Sequence, residues 1–235
     1  MSQPLRTRPA GLVLAAGEGK RLGRPKALVE IGGRRLVDRA VGTLVAGGCH
    51  PVLVVSGATP LEIPGATVVD NPRWPDGMGS SLRVGLAALP TRAPAVVVML
   101  VDTPGVDATV ISRLIAAWLE GAQVTVATYA GARRTPVLLG SAHWAEAAAR
   151  AEGDHGARAF LTAHPELVTE VECSDLGPWR DLDTPADLAR WRDGLHDHAG
   201  IGDGLHDHAG IGDGLHDHGE EGEARGRDER GILPP

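Results

Sequence analysis

The stretch that decides the fold is GLVLAAGEGKRLGRPK, residues 11–26. An apolar run of strand length ends at Gly17, and four basic side chains follow it closely. They are Lys20, Arg21, Arg24 and Lys26. A strand that ends in a glycine-rich, basic loop offers backbone amides and cations to a phosphate group. The segment therefore predicts a buried strand followed by a phosphate-binding loop.

Two common phosphate motifs do not fit this loop. A Walker A loop requires GxxxxGK followed by Ser or Thr, whereas Gly23 is followed here by Arg-Pro. The dinucleotide fingerprint GxGxxG fails because Gly17, Gly19 and Gly23 are spaced as GxGxxxG. In addition, the second apolar segment, residues 51–57, ends without the acidic residue that would bind a ribose.

Apolar segments of strand length alternate with helical patterns along the chain. The predicted strands are residues 11–16, 51–57, 66–70, 95–102, 123–129, 136–140 and 167–172. The predicted helices are residues 35–47, 79–89, 107–120, 141–151, 155–163 and 185–192. Most strands are continuous runs of Val, Leu and Ile, which is typical of a parallel sheet buried on both faces. We therefore expect an α/β fold with a doubly wound, mostly parallel sheet that binds its ligand at the carboxyl ends of the strands.

Charge and cysteine content exclude several classes of protein. Residues 194–235 hold ten acidic and three basic residues, which leaves 20 of each sign in residues 1–193. A neutral body argues against binding to nucleic acid. Cys49 and Cys173 are far apart, which indicates a reducing compartment without disulfides. The apolar run at residues 11–16 is too short for a signal peptide, and none approaches the ~18 residues of a membrane span. We expect a cytoplasmic protein.

The composition changes abruptly after Trp191. The sequence DGLHDHAGIG occurs at residues 193–202 and again at 203–212, and DGLHDHG follows. Such a repeat cannot bury enough apolar surface to fold. We therefore predict one folded domain over residues 1–193, which the resemblance described next implies to be a nucleotidyltransferase domain, and a disordered tail over residues 194–235. The six tail histidines alternate with aspartates and are candidate Ni²⁺ or Zn²⁺ ligands, the alternative being a repeat without function. They are His196, His198, His206, His208, His216 and His218.

Six segments resemble, in the same order, the motifs of the MobA-like nucleotidyltransferases. The opening loop resembles LAAGxGxRxGxxK, and NPRWPDGMGSSLRVGL resembles Nxx(W)xxGMxxSL. VMLVDTPGV resembles the metal motif, and WRDLDTPADLARW resembles the closing DxDTPxDL. TPVLL and EGDHGARAFL resemble acceptor motifs of the molybdenum cofactor cytidylyltransferase branch. These segments span about residues 9–192. The resemblance implies a Rossmann-like nucleotidyltransferase that moves an NMP group from an NTP to a phosphorylated acceptor such as molybdopterin and releases pyrophosphate.

The resemblance also implies roles for individual residues. Arg21 would bind the β- and γ-phosphates and Lys26 the α-phosphate, and both would be catalytic together with Asp102. The nucleotide would contact residues of the loop and of the second motif. These are Ala15, Ala16, Gly17, Glu18, Gly19, Arg21, Lys26, Asn71, Gly77, Ser80 and Ser81.

A magnesium site is predicted at the end of the most apolar strand. Asp102 follows that strand, and a carboxylate there is costly unless it is paired or bound to metal. Mg²⁺ commonly binds one or two carboxylates together with phosphate oxygens. By resemblance Asp183 is the second ligand, with Asp181 as the alternative. Asp102 could instead cap a turn before Pro104, and Asp183 could cap the following helix.

The acceptor and the base are less well defined. By resemblance the acceptor contacts Pro136, Asp154, His155 and Arg158, although Thr135 replaces the usual histidine of the branch. The loop reads LAAG, which favours CTP, whereas LAGG is more frequent in the guanylyl branch, and GTP remains an alternative. Two other classes remain: a nicotinamide-dependent oxidoreductase on a Rossmann sheet, and a metal-handling protein whose working part is the tail.

Overall fold

The computed structural model describes residues 8–198, with side chains as far as residue 192. Within these residues the chain forms nine strands and six α-helices. The strands are β1 (Ala10–Leu14), β2 (Glu30–Ile31), β3 (Arg34–Arg35), β4 (Val52–Ser56), β5 (Thr67–Asp70), β6 (Ala95–Leu100), β7 (Val124–Tyr129), β8 (Ala132–Gly140) and β9 (Val168–Glu172). The helices are α1 (Leu36–Ala46), α2 (Met78–Ala88), α3 (Ala108–Leu119), α4 (Trp144–Arg150), α5 (Arg158–Ala163) and α6 (Pro185–His198).

Seven strands form one sheet in the order β5-β4-β1-β6-β8-β7-β9. Leu12 at the centre of β1 is in register with Leu53 of β4 and Val98 of β6, both in parallel strands. Only β8 runs antiparallel to its two neighbours in this sheet. From β1 the chain moves outward to β4 and β5 and then returns to β6 on the other side of β1. This reversal of strand order opens a crevice at the carboxyl ends of β1 and β6, where such sheets bind ligands.

Helices cover both faces of the sheet and create two apolar cores. Helices α1, α3 and α6 pack on one face, and α2, α4 and α5 on the other. Neighbouring residues of β1 contribute to both: Val13 belongs to the first core and Leu12 to the second, and both are fully buried. Burial on both faces explains why the strand is apolar at every position rather than at alternate ones. The predicted doubly wound, mostly parallel sheet is confirmed.

The structure differs from the prediction in four places. The strand predicted at residues 136–140 begins at Ala132, because a tight turn at Ala130 and Gly131, both with positive φ, pairs it with β7. The short hairpin β2–β3 was not predicted, since each strand has only two residues. Helices α4 and α5 are shorter than predicted and follow 3-10 turns.

The fourth difference concerns the end of the domain. Helix α6 runs to His198, six residues beyond the predicted helix end, so the predicted domain boundary at residues 193–194 lies inside this helix. The remainder of the predicted tail, from residue 199, lies outside the described residues. No helix in residues 8–198 is long and apolar enough to cross a membrane.

Candidate active site

A cleft of about 550 Å³ lies at the carboxyl ends of β1 and β6. The loop after β1, the start of α2 and the turns that follow β6 and precede α6 form its walls. The lining residues include Leu14, Ala16, Gly17, Glu18, Gly19, Lys20, Arg21, Lys26, Trp74, Pro75, Gly77, Met78, Ser81, Leu100, Val101, Asp102, Asp154 and Asp183. Most of the predicted phosphate and metal residues therefore meet in one cleft.

The loop after β1 is held in a tight conformation by glycine. Gly19 has φ +67°, and a Cβ at this position would lie 2.0 Å from the carbonyl oxygen of Arg24. The Gly19 carbonyl in turn accepts a 2.9 Å hydrogen bond from the amide of Gly23. Within residues 8–198, the backbone amides from Gly17 to Arg21 donate to no protein acceptor. These amides, with the 71% exposed side chain of Arg21, are available to a polyphosphate.

Lys26 lies between the two predicted metal ligands. Its Nζ donates to Asp102 Oδ2 at 2.7 Å and also contacts Asp183 Oδ1. All three side chains are less than one quarter exposed. Arg21 reaches the other oxygen of Asp183 at 2.7 Å. The structure thus brings together a lysine from the loop and carboxylates from the ends of two other segments.

The electrostatics of this group favour a charged lysine. Burial by itself lowers the pKa of Lys26, but the charges and hydrogen bonds of Asp102 and Asp183 outweigh it, and the pKa is raised above its ordinary value. A cation therefore already neutralises the two carboxylates. A metal ion would take over this role if Lys26 moved to a phosphate group.

The donor atoms fit a divalent cation such as Mg²⁺. Oδ1 of Asp102 is buried and has no hydrogen-bond partner among the described residues. A buried carboxylate oxygen without a donor is costly, and a hard cation satisfies it. The described residues contain no cluster of three or more His, Cys, Asp or Glu able to hold a metal. Two carboxylates that leave the other positions to phosphate and water are the usual arrangement for Mg²⁺.

Hydrogen bonds on both sides of Asp183 fix its position. The amide of Leu182 donates to the carbonyl oxygen of Asp102 at 2.8 Å, and the Leu182 side chain is fully buried. At the start of α6, Asp187 accepts hydrogen bonds from the amides of Asp183 and Thr184 and from the Thr184 hydroxyl. The hydrogen bonds from Thr184 lower the pKa of Asp187 far below its usual range. The Thr184 hydroxyl in turn accepts from the amide of Asp187, so these two residues cap the helix together and leave the Asp183 carboxylate to face Lys26.

The second motif, residues 71–86, begins with a turn that the side-chain amide of Asn71 stabilises by hydrogen bonds. Asn71 is fully buried, and its Nδ2 donates to Ser80 Oγ at 2.9 Å and to Ser81 Oγ at 3.1 Å. Its Oδ1 accepts from the amide of Arg73. Both Asn71 and Ser80 were predicted to contact the nucleotide. Their side-chain polar atoms instead form hydrogen bonds within the protein, and neither residue lines the cleft. Ser81 does line it.

Gly77 allows the second motif, residues 71–86, to pack closely against the acceptor motif EGDHGARAFL, residues 152–161. A Cβ on Gly77 would lie 2.5 Å from the Gly153 carbonyl oxygen and 2.9 Å from Asp154 Oδ1. Because only glycine allows this approach, Asp154 joins the wall of the nucleotide cleft. His155 and Arg158 are not part of this wall. Pro136 is buried inside β8 and is not part of this wall either.

Six apolar residues of the cleft wall were not predicted to act there, namely Leu14, Trp74, Pro75, Met78, Leu100 and Val101. Trp74, Met78 and Leu100 supply apolar surface to the wall. Trp74 packs against Gly57, where a Cβ would lie 2.6 Å from the Trp74 Cβ. The only sequence signal for Trp74 was its position inside the second motif. Asp181, the alternative metal ligand, lies outside this wall, which favours Asp183.

A family model described as the MobA-like NTP transferase domain matches residues 11–168. The nicotine blue oxidoreductase of Paenarthrobacter nicotinovorans is 38% identical over 194 residues, 77% of this chain and 94% of that protein. The molybdenum cofactor guanylyltransferase of Rhodobacter capsulatus is 31% identical over 196 residues, 82% of this chain and 99% of that protein.

Solved structures agree with these matches. A homologue of Mycobacterium tuberculosis Rv0371c, from Mycobacterium sp. strain JC1, is 27% identical and superimposes with a TM-score of 0.72. The match covers 83% of this chain and 100% of that chain. The same fold is therefore present over almost the whole of the described part of the chain.

Proposed function

Because the chain belongs to the MobA-like NTP transferase family, we propose that it is a Mg²⁺-dependent nucleotidyltransferase. It moves an NMP group, CMP in preference, from an NTP to a phosphorylated acceptor such as molybdopterin and releases pyrophosphate. The observation that carries this proposal is the contact of Lys26 with both Asp102 and Asp183, directly beside a loop with free amides. This arrangement supplies positive charge for a triphosphate and oxygen ligands for a cation in the same cleft.

Each of the cleft residues has its own role in nucleotidyl transfer. The amides from Gly17 to Arg21 and the Arg21 guanidinium bind the β- and γ-phosphates, and Lys26 binds the α-phosphate. Asp102 and Asp183 would hold Mg²⁺, and the bound ion would supply neutralisation of phosphate charge and polarisation of the phosphoryl group. An oxygen of the acceptor phosphate attacks the α-phosphorus in line, and the bond to the bridging oxygen of the β-phosphate breaks. Pyrophosphate leaves with the electron pair, and positioning and charge stabilisation account for the rate.

Two observations concern the choice between CTP and GTP as the nucleotide substrate. The sequence LAAG in the loop favours CTP, whereas the Rhodobacter capsulatus relative is named as a guanylyltransferase. The cleft wall also contains the Asp154 carboxylate, which could accept hydrogen bonds from an amino group of either base. We retain CTP as the preferred substrate and GTP as the alternative. The ratio of kcat/KM for the two nucleotides decides between them.

A second candidate function comes from the name of one relative. The Paenarthrobacter nicotinovorans protein is called an oxidoreductase, and it is 38% identical to this chain. The described structure offers little to a nicotinamide dinucleotide. Strand β4 ends at Ser56 and is followed by Gly57, so it offers no carboxylate to the ribose at its end. The opening loop also lacks the GxGxxG spacing.

One assay separates these functions. The full-length protein is incubated with Mg²⁺, each NTP in turn and molybdopterin, and pyrophosphate release is followed. A parallel reaction with NADH or NADPH and nicotine blue is followed by cofactor absorbance. We expect pyrophosphate release with CTP and no cofactor oxidation. Cofactor oxidation without pyrophosphate release from any NTP would contradict the proposal.

A further inference from the structure

The wall of the nucleotide cleft has two chemically different parts. The first part contains the charged side chains of the loop and of the metal group, which are Glu18, Lys20, Arg21, Lys26, Asp102 and Asp183. The second part comes from the second motif, and its residues are all neutral: Trp74, Pro75, Gly77, Met78 and Ser81. The carboxylate of Asp154 adjoins this second part through Gly77. The cleft thus combines a basic end with a largely apolar end that carries a carboxylate.

Close packing holds the turn that carries Asp154 against the start of α2. A Cβ on Gly79 would lie 2.6 Å from the carbonyl carbon of Ala151. Arg83, one turn further along α2, donates to the carbonyl oxygen of Ala151. Gly77 packs against the same turn, as described above. The place of Asp154 in the cleft wall is therefore fixed by contacts with the backbone of a buried helix and does not depend on a ligand.

The Asp154 carboxylate also favours one orientation of the nucleotide. Gly77 is the N-cap of α2, and no described side chain caps this end of the helix. The N-terminus of a helix of 11 residues stabilises a negative charge. Asp154 Oδ1 lies 2.9 Å from the position of a Cβ on Gly77 and supplies that charge. Since a second anion beside it would be repelled, we expect the triphosphate at the basic end of the cleft and the base at the end with Asp154.

The Asp154 carboxylate is available to a ligand. The residue is exposed and forms no ion pair within residues 8–192. An ionised carboxylate accepts hydrogen bonds and donates none. On the edge of a base it therefore suits an amino group, such as N4 of cytosine, and disfavours a carbonyl oxygen, such as O4 of uracil. The flat apolar faces of the base would lie against the surface that Trp74 and Met78 provide.

We propose that Asp154 determines which base the protein accepts, because its carboxylate binds the exocyclic amino group of the nucleotide, N4 in CTP. UTP presents O4 at the same position, where two acceptor atoms repel each other. This inference rests on the proposed nucleotidyltransferase function and adds the residue that selects the base. It replaces the acceptor contact that the sequence predicted for Asp154.

The test compares two nucleotides that share the same ribose and triphosphate. Calorimetric titration of the full chain with CTP and with UTP, in Mg²⁺ and without acceptor, measures both affinities. Wild-type protein should bind CTP about tenfold more tightly than UTP, the size of effect expected for one hydrogen bond to a charged group. In Asp154→Asn the two affinities should become similar, because the amide can donate to O4 of uracil or accept from N4 of cytosine. A preference for CTP that this variant retains in full would overturn the proposal.

Guanine nucleotides provide a second matched pair. GTP carries an N2 amino group that ITP lacks, and the two molecules are otherwise the same. If GTP binds in place of CTP, Asp154→Asn should remove most of its advantage over ITP. Equal affinities within both pairs in the wild-type protein would show that no amino group is recognised, and would reject the proposal.

Glu152→Gln is the matched control. Glu152 is an exposed carboxylate two residues before Asp154, and it does not belong to the cleft wall. Its substitution removes the same charge from the same segment, but the ratio of CTP to UTP affinity should not change. An equal loss of preference in both variants would mean that the net charge of the segment sets the preference, which contradicts a contact between Asp154 and the base.

Turnover separates this inference from an acceptor role and from the proposed function. A higher KM for molybdopterin in Asp154→Asn, with an unchanged ratio of CTP to UTP affinity, would return Asp154 to the acceptor and reject the inference. If no NTP releases pyrophosphate, the proposed function fails, yet the titrations still decide what Asp154 recognises. Pyrophosphate release with a base preference that does not depend on Asp154 would overturn the inference alone.

Discussion

The amide of Leu182 donates a 2.8 Å hydrogen bond to the carbonyl oxygen of Asp102. This bond attaches the segment before α6 to the end of β6, which places the side chain of Asp183 beside that of Asp102. Lys26 then bridges the two carboxylates. Three residues distant in sequence thus form one charged group through one backbone contact and one side chain.

The first prediction concerns Asp102. We expect Asp102→Asn to leave the fold intact and to lower turnover by ~100-fold or more, since the loss of one carboxylate charge weakens metal binding. The control is Asp107→Asn in the same connection, which keeps the 2.7 Å cap to the amide of Thr109 and lies outside the cleft. Steady-state rates of pyrophosphate release measure the effect. Normal turnover by Asp102→Asn would show that this carboxylate is not a metal ligand.

The second prediction separates two roles of Lys26. In Lys26→Met, turnover should fall ~100-fold because the α-phosphate loses its cation. Mn²⁺ binding without nucleotide should become tighter, because Lys26 no longer neutralises Asp102 and Asp183. Titration of the free protein with Mn²⁺, followed by electron paramagnetic resonance, measures this. Weaker Mn²⁺ binding in the variant would mean that the lysine supports the metal site rather than competing with it.

A third prediction concerns phosphate binding by Arg21. Arg21→Ala should weaken binding of CTP far more than binding of cytidine, because the guanidinium acts on the phosphates and not on the base. Arg92→Ala is the control, because Arg92 is exposed and precedes β6, whereas the cleft lies at the carboxyl end of that strand. Calorimetry with both ligands measures the two affinities. An equal loss for cytidine and CTP would argue against a phosphate role.

The fourth prediction concerns Asn71 as a structural residue. Asn71→Ala leaves the buried hydroxyls of Ser80 and Ser81 without their shared donor. The free energy of unfolding should fall by about 1–3 kcal/mol, as for other buried hydrogen bonds that lose one partner. Urea denaturation measures it, with Ser112→Ala as the control, because Ser112 is exposed and its hydroxyl donates only to the backbone carbonyls of Ala108 and Gly47. Unchanged stability with weaker NTP binding would instead support direct contact with the nucleotide.

The fifth prediction is a pH dependence of stability at His164. Its Nε2 lies 2.7 Å from Glu146 and its Nδ1 3.2 Å from Glu166, and these hydrogen bonds raise the pKa of His164 above 6.5. A raised pKa in the folded state adds stability below the unfolded pKa, which is lost as pH rises through the folded value. The Tm advantage over His164→Gln should therefore be largest near pH 6 and shrink toward pH 8. The same comparison in a Glu146→Gln background should show a smaller change, and a constant difference would contradict this role.

The histidine repeat stays a prediction, because residues from 199 onward lie outside the described structure. Since α6 extends to His198, the test changes only the four later histidines, His206, His208, His216 and His218, to Gln in the full chain. Calorimetry with Ni²⁺ should show weaker binding, with Mg²⁺-dependent turnover unchanged, because imidazole prefers borderline metals to Mg²⁺. Identical isotherms would mean that these four histidines bind no Ni²⁺.

Much of the fold was predictable because its signals are local. The continuous apolar strand, its basic glycine loop and the alternation of strands with helices predicted a doubly wound sheet, and six motifs in order indicated the family, which is confirmed. The antiparallel start of β8 was missed because its turn is Ala130–Gly131 rather than a typical Asn-Gly hairpin signal. The extension of α6 was missed because its last residues read as part of the repeat.

The sequence by itself determined which residues carry charge and which strands are buried, since these depend on residue type and periodicity. Only the tertiary structure decided how the candidates divide. It placed Asp183, but not Asp181, in the wall of the nucleotide cleft. It also showed that the side chain of Asn71 forms hydrogen bonds within the protein. It placed the Arg134 guanidinium 4.7 Å from the centre of the Trp179 ring. The physical reason is that hydrogen bonding, burial and charge pairing between distant segments depend on distances that exist only after the chain has folded.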